Sequence, residues 1–151
     1  GALTIAVDPT GTYAYVANET AHTLSMYSIN TATGTLAGLS GSPLSTGSSP
    51  ESLAIDPTGR FLYAANVTGA NEVTSYSITP SSGTLTAASS VGSGTFPLNI
   101  VVDPAGQFAY VANQNSNDVS VYSINATTGA LTQVPGSPFA AGVNPRAVAL
   151  D

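Results

Sequence analysis

Asp8-Pro9-Thr10-Gly11 returns as Asp56-Pro57-Thr58-Gly59 and as Asp103-Pro104-Ala105-Gly106, and Asp151 stands where a fourth copy begins. The four aspartates lie 48, 47 and 48 residues apart. A fixed period of this size belongs to architectures of stacked units, in which no single unit buries its own apolar face. Within each copy, proline presets the φ of the second turn position, glycine suits the last, and aspartate can accept hydrogen bonds from the backbone just downstream. Asp8, Gly11, Asp56, Gly59, Asp103 and Gly106 are therefore read as turn formers.

Working outward, each repeat carries four strand signals. A short apolar stretch precedes the turn: Leu3 to Val7, Leu53 to Ile55, Ile100 to Val102, and Ala147 to Leu150 for the partial copy. Its β-branched residues, bounded by turn residues, favour strand over helix. An aromatic strand follows, at Tyr13 to Asn18, Phe61 to Asn66 and Phe108 to Asn113. Period two places Tyr13, Tyr15 and Ala17 on one face, and Ala14 and Val16 on the other. Both faces are apolar, so both need cover. The third strand runs over Leu24 to Ile29, Val73 to Ile78 and Val119 to Ile124. A Thr/Ser-Gly turn then leads to a polar fourth strand starting at Leu36, Leu85 and Leu131, as expected of an outer edge. A loop through Pro50, Pro97 or Pro145 returns to the next repeat. Four antiparallel strands per unit predict an all-β propeller with blades 1–48, 49–95 and 96–143 and the inner strand of a fourth at 144–151, one partial domain in all. A parallel β-helix is the runner-up, and a two-sheet sandwich would show no such repetition.

The composition narrows the partners. Two Arg, no Lys and eight acidic residues give a formal net charge of −6. Nucleic acid and anionic membrane surfaces are unfavourable partners for such a chain. There is no cysteine, which excludes disulfides, thiol nucleophiles and thiolate metal sites. No apolar stretch is long enough for a membrane helix. The scarcity of charge, with abundant Ser and Thr, predicts an extracellular or cell-surface protein.

Ile5-Ala6-Val7-Asp8-Pro9-Thr10-Gly11, Tyr15-Val16-Ala17-Asn18, Tyr110-Val111-Ala112-Asn113 and Gly136-Ser137-Pro138-Phe139 resemble the motifs of the Tyr-Val-Thr-Asn repeat propellers, the lactonase-type seven-bladed family. Alanine replaces the motif's threonine in all three copies. The resemblance implies a ring of about seven blades around a channel, with the first strand of each repeat innermost. Three blades do not close such a ring. An open arc would expose an apolar face at each end, so the expected partners are the missing blades of a longer parent chain or a second copy, for example two arcs in a six-bladed ring.

The resemblance also implies functional groups at the channel mouth, on the stretch after each repeat's proline. The matching residues are Glu51, Leu98 and Arg146, where the family often carries histidine and this chain has none. Glu51 and Arg146 are candidates for a base and an oxyanion clamp in lactone hydrolysis, although two blades apart. His22, the only histidine, falls in a loop and is read as a surface residue away from the mouth. Asp118, with Asn115 and Asn117, forms an oxygen-rich loop with too few carboxylates for calcium, and no metal or other cofactor is expected. Asn18, Asn66 and Asn125 head Asn-x-Thr sequons and are possible glycosylation sites. Two functions follow: a structural scaffold or protein- or glycan-binding module, for which repetition suits multivalent contact, and a lactonase-type hydrolase holding part of its site in this chain.

Overall fold

A computed structural model describes residues 1–150. It is all β, with 14 strands: β1 (Ala2–Val7), β2 (Tyr13–Asn18), β3 (Thr23–Ile29), β4 (Leu36–Gly38), β5 (Leu44–Ser45), β6 (Pro50–Ile55), β7 (Phe61–Asn66), β8 (Glu72–Ile78), β9 (Leu85–Gly92), β10 (Pro97–Val102), β11 (Phe108–Asn113), β12 (Asp118–Ile124), β13 (Leu131–Gln133) and β14 (Phe139–Ala140). They form three antiparallel sheets in the orders β1-β2-β3-β4, β6-β7-β8-β9 and β10-β11-β12-β13. These are the expected blades.

The fourth strand is continuous only in the middle blade. In the first, β4 and β5 pair separately with β3, and in the third β13 and β14 pair separately with β12. The interruption carries Ser42-Pro43 or Ser137-Pro138, and proline cannot donate to a ladder. The preceding serine compensates. Met26 N–H donates to Ser42 Oγ at 2.9 Å and Val121 N–H to Ser137 Oγ at 2.9 Å. The residues from 147 to 150, expected as a fourth inner strand, are not in a strand. They lie beside β10, with Val148 N–H donating to Asn99 Oδ1 at 2.9 Å.

Each Asp-Pro-x-Gly segment is a turn. Glycine N–H donates to the aspartate carbonyl at 2.9 Å in all three copies, and Gly11, Gly59 and Gly106 have φ of +70°, +70° and +67°, the left-handed region that glycine enters without penalty. The carboxylate closes the hairpin from inside. Asp56 Oδ1 accepts from Arg60 and Phe61 N–H at 2.8 and 2.7 Å, and Asp8 and Asp103 repeat the pair with Thr12 and Tyr13, and with Gln107 and Phe108.

Two cores fill the two gaps between blades. Tyr15, Ala17, Leu24 and Met26 of the first blade meet Leu53, Leu62, Ala64, Tyr76 and Ile78 of the second. Phe61, Tyr63, Ala65 and Val73 on the second blade's other face meet Ile100, Ala109, Val111 and Tyr122 of the third. Every residue of β7 is buried, the consequence of a strand apolar on both faces between two neighbours. The first blade's outward face stays open, leaving Ile5 56% exposed and Val7 and Leu36 about half exposed.

Candidate functional site

The loops joining second to third strands and those returning to the next repeat lie at the same end of the blades, opposite the Asp-Pro-x-Gly turns. Backbone bonds tie them together: Val67 N–H donates to the Ser49 carbonyl at 3.0 Å and Gln114 N–H to the Phe96 carbonyl at 2.9 Å. Pro50 and Pro97 begin the inner strands β6 and β10 there, so this is the end that the resemblance assigns to the channel mouth.

The asparagine closing each second strand ties it to the third strand across the adjoining loop. Asn18 Nδ2 donates to Ser25 Oγ, Asn66 Nδ2 to Thr74 Oγ1, and Asn113 Nδ2 to Ser120 Oγ, at 2.8, 3.0 and 2.9 Å. At the tip of the loop His22, Asn71 and Asn117 occupy equivalent positions with φ of +53°, +48° and +58°. Asparagine enters this region more readily than most side chains. Each tip latches the return loop. Phe96 N–H donates to Asn71 Oδ1 at 3.1 Å and Asn144 N–H to Asn117 Oδ1 at 2.8 Å. In the first blade the latch is His22 Nε2 with Ser49 Oγ, 3.2 Å apart. His22 is therefore exposed, as expected, but it stands at the mouth, correcting the expectation that its loop lay away from it. Adjacency in the fold, rather than in the chain, brings it to Ser49, two residues before Glu51.

Glu51 is partly buried on the inner strand β6. Burial, and then the charge of Glu19, push its carboxyl above the usual range. Glu19 belongs to the first blade's loop, where its N–H donates to the Gly1 carbonyl at 3.0 Å. The mouth thus gathers Glu19, His22, Ser49 and Glu51 from two blades. Arg146 is exposed on the far side of the third blade, two repeats away, and is not brought to Glu51. Asp118 Oδ1 accepts from Asn113 Nδ2 at 2.7 Å, holding the hairpin. Of the sequons, Asn125 is exposed, Asn18 is partly buried, and Asn66 is completely buried with its amide engaged.

Two residues unremarked in the sequence complete the mouth. Ser52 Oγ accepts from Ile100 N–H of the next inner strand at 3.2 Å, and Asn99 Oδ1 accepts from Val148 N–H one blade further on. They satisfy donors on an inner edge that has no neighbouring strand to bond. The signal was present as a hydrogen-bonding residue two places after the proline in both Pro50-Glu51-Ser52 and Pro97-Leu98-Asn99.

Comparison with known proteins agrees with this fold. Candidate 6-phosphogluconolactonases of Bacteroides fragilis and Bacteroides uniformis share the fold with TM-scores of 0.89 and 0.87, each at 22% identity. These matches cover 97% and 95% of this chain, and 41% and 42% of theirs. The periplasmic gluconolactonase PpgL of Pseudomonas aeruginosa matches with a TM-score of 0.81 at 23% identity, over 95% of this chain and 41% of its own. This chain thus spans about two fifths of the length of the structures it resembles. No curated protein sequence matches it. The family described as Lactonase, 7-bladed beta-propeller matches residues 3–147. The chain belongs to the lactonase-type seven-bladed β-propeller family.

Proposed function

We propose that this chain contributes three blades to a hydrolase of the lactonase type, acting on a sugar lactone at the channel mouth. The observation that carries the reading is the Glu51 carboxyl, set on an inner strand of a lactonase-family propeller and made less acidic by burial and by Glu19. A carboxylate tuned upward is the better general base. In the reaction Glu51 takes a proton from water as its oxygen attacks the lactone carbonyl carbon. The carbonyl oxygen becomes an oxyanion, the ring C–O bond then breaks, and the proton passes to the departing alkoxide, giving the hydroxy acid.

Ser49 and the His22 latch hold the loop that enters Pro50-Glu51, so their part is positioning. Arg146, at the matching position of another blade, is suited to an oxyanion at the same mouth but not to direct contact with Glu51. The scaffold reading, placed first on composition and repetition, has less in its favour than the hydrolase once family membership and the mouth geometry are considered together.

The test is hydrolysis of glucono-δ-lactone by the intact natural protein, above the spontaneous rate. Glu51→Gln is expected to lower kcat by about a hundredfold, within the range general bases contribute. An unchanged rate in that variant would remove Glu51 from the reaction.

A further inference from the structure

The three return loops are not alike. Phe96 and Asn144, each just before a proline, have φ of +62° and +53°, whereas Ser49, before Pro50, stays outside the left-handed region. In the second loop the peptide joining Thr95 to Phe96 accepts from Asn115 N–H at 3.0 Å and donates to Asn71 Oδ1 at 3.1 Å. The peptide joining Ser48 to Ser49 has other partners on both sides. Its carbonyl accepts from Thr46 Oγ1 at 2.6 Å, and its N–H donates to Thr68 Oγ1 at 3.0 Å. New partners at both ends, with a change of region in φ, mark a peptide plane turned over. A nearby hydroxyl turns with it. Ser93, the equivalent of Thr46, donates from Oγ to Asn113 Oδ1 at 2.8 Å. With Thr46 engaged in its own loop, the equivalent acceptor, Asn66 Oδ1, is buried with no partner among the described residues.

Each orientation has one identifiable cost. A residue before proline is held to extended backbone by the proline ring, so a positive φ there is strained. Ser49 avoids that strain, and a buried acceptor goes unpaired instead, forfeiting its hydration. The choice follows the residue at the loop tip. Asn71 and Asn117 offer an amide oxygen to the N–H of the residue before proline. His22 reaches Ser49 Oγ through Nε2 instead and leaves that N–H to Thr68. The loop that departs is also the one leading to a carboxylate, since Glu51 follows Pro50 where the others lead to Leu98 and Arg146. From these placements we propose that the Ser48–Ser49 peptide has two orientations, and that His22, standing where the other repeats carry asparagine, selects the one that positions Glu51. His22 is thus a positioning residue, and its bearing on turnover rests on the hydrolase reading above.

Two variants reach the other orientation by different routes. His22→Asn supplies the amide oxygen found in the other repeats. Thr68→Val removes the acceptor that holds the Ser49 N–H, at an exposed position where the core is untouched. Crystal structures of the intact protein and of both variants are expected to show φ at Ser49 becoming positive in each variant, with Thr46 Oγ1 moved onto Asn66 Oδ1. With glucono-δ-lactone, both variants are expected to lose about tenfold in kcat with KM nearly unchanged, because a small misplacement of a reacting group is costly. A φ unchanged in both variants would overturn the proposal whatever the rates. A positive φ with unchanged kcat would overturn the positioning of Glu51. A loss of kcat confined to His22→Asn, with φ positive in both, would make the imidazole itself the active group and would also overturn it. If the wild type hydrolyses no lactone, the hydrolase reading falls and the positioning of Glu51 with it, while φ at Ser49 still decides between one orientation and two.

Discussion

The Tyr13 ring lies against the α-carbon of Gly83, so that a Cβ there would fall 2.3 Å from Tyr13 Cδ1. The contact crosses from the first blade to the hairpin turn of the second. It recurs one blade on, where a Cβ on Gly129 would fall 2.3 Å from Phe61 Cδ1. Gly34 is the matching glycine of the first blade, and a Cβ there would meet nothing within 4 Å.

Gly83 and Gly34 make a matched pair for measurement, with φ of +69° and +73°. Alanine at either costs about 1–2 kcal/mol for the left-handed backbone. Only Gly83→Ala also pushes into a packed ring, a further cost of about 1–3 kcal/mol. Urea unfolding should therefore place the Gly83→Ala midpoint below that of Gly34→Ala. Equal midpoints would mean that Tyr13 swings aside freely.

Two tyrosines at equivalent positions should respond oppositely to loss of the hydroxyl. Tyr15 donates to the Gly83 carbonyl at 2.8 Å, whereas the buried Tyr63 hydroxyl has no partner among the described residues. Tyr15→Phe is expected to lose about 1 kcal/mol, and Tyr63→Phe to be neutral or to gain up to about 1 kcal/mol by removing a buried unpaired group. Thermal melts of the two variants against wild type decide this, and destabilisation by both would indicate an unseen partner for Tyr63.

Acid should act through the first turn. Burial of Asp8 works to raise its pKa, but the hydrogen bonds from Thr10, Tyr13 and Thr12 outweigh it and hold the carboxyl below its usual value of 3.8. The folded state thus binds the proton less readily than the unfolded state. This contribution to stability is present above pH 3.8 and is lost as pH falls through the folded value. Asp8→Ala should cost about 2–3 kcal/mol near neutrality and progressively less below that point. Denaturation curves along an acid series provide the check, and a cost independent of pH would contradict the assignment.

Glu51 carries the opposite sign. Its carboxyl is raised in the folded state, first by burial and then by Glu19, so the ionised form destabilises the fold above the folded pKa. Glu51→Gln should melt higher than wild type at neutral pH, with the gain shrinking as acid protonates the native residue. Higher stability with lower turnover is the trade-off expected at a working site. A lower melting temperature at neutral pH would instead mark Glu51 as structural.

Much of this was legible from the repeat. Asp-Pro-x-Gly fixed the hairpin ends, and the two-faced Tyr13 to Asn18 pattern required blades on both sides, as the complete burial of β7 bears out. What period and propensity left hidden was contact between loops distant in sequence. His22 looked like an isolated loop residue because its partner, Ser49, is 27 residues on. The unmarked Glu19 gained meaning only when its charge reached Glu51. The broken outer strands escaped as well, since Ser42 and Ser137 replace ladder bonds by side-chain geometry that no alternation pattern encodes.

The aromatic-on-glycine joint has a bearing on how such proteins grow. Tyr13 and Phe61 use the same joint, and each unit brings both halves of it, an aromatic for the unit ahead and a glycine for the unit behind. Phe108 and Gly34 are the halves still unmatched among the described residues. A gene that duplicated or deleted one whole segment would keep every junction compatible, so copy number could drift in evolution without a new interface having to arise.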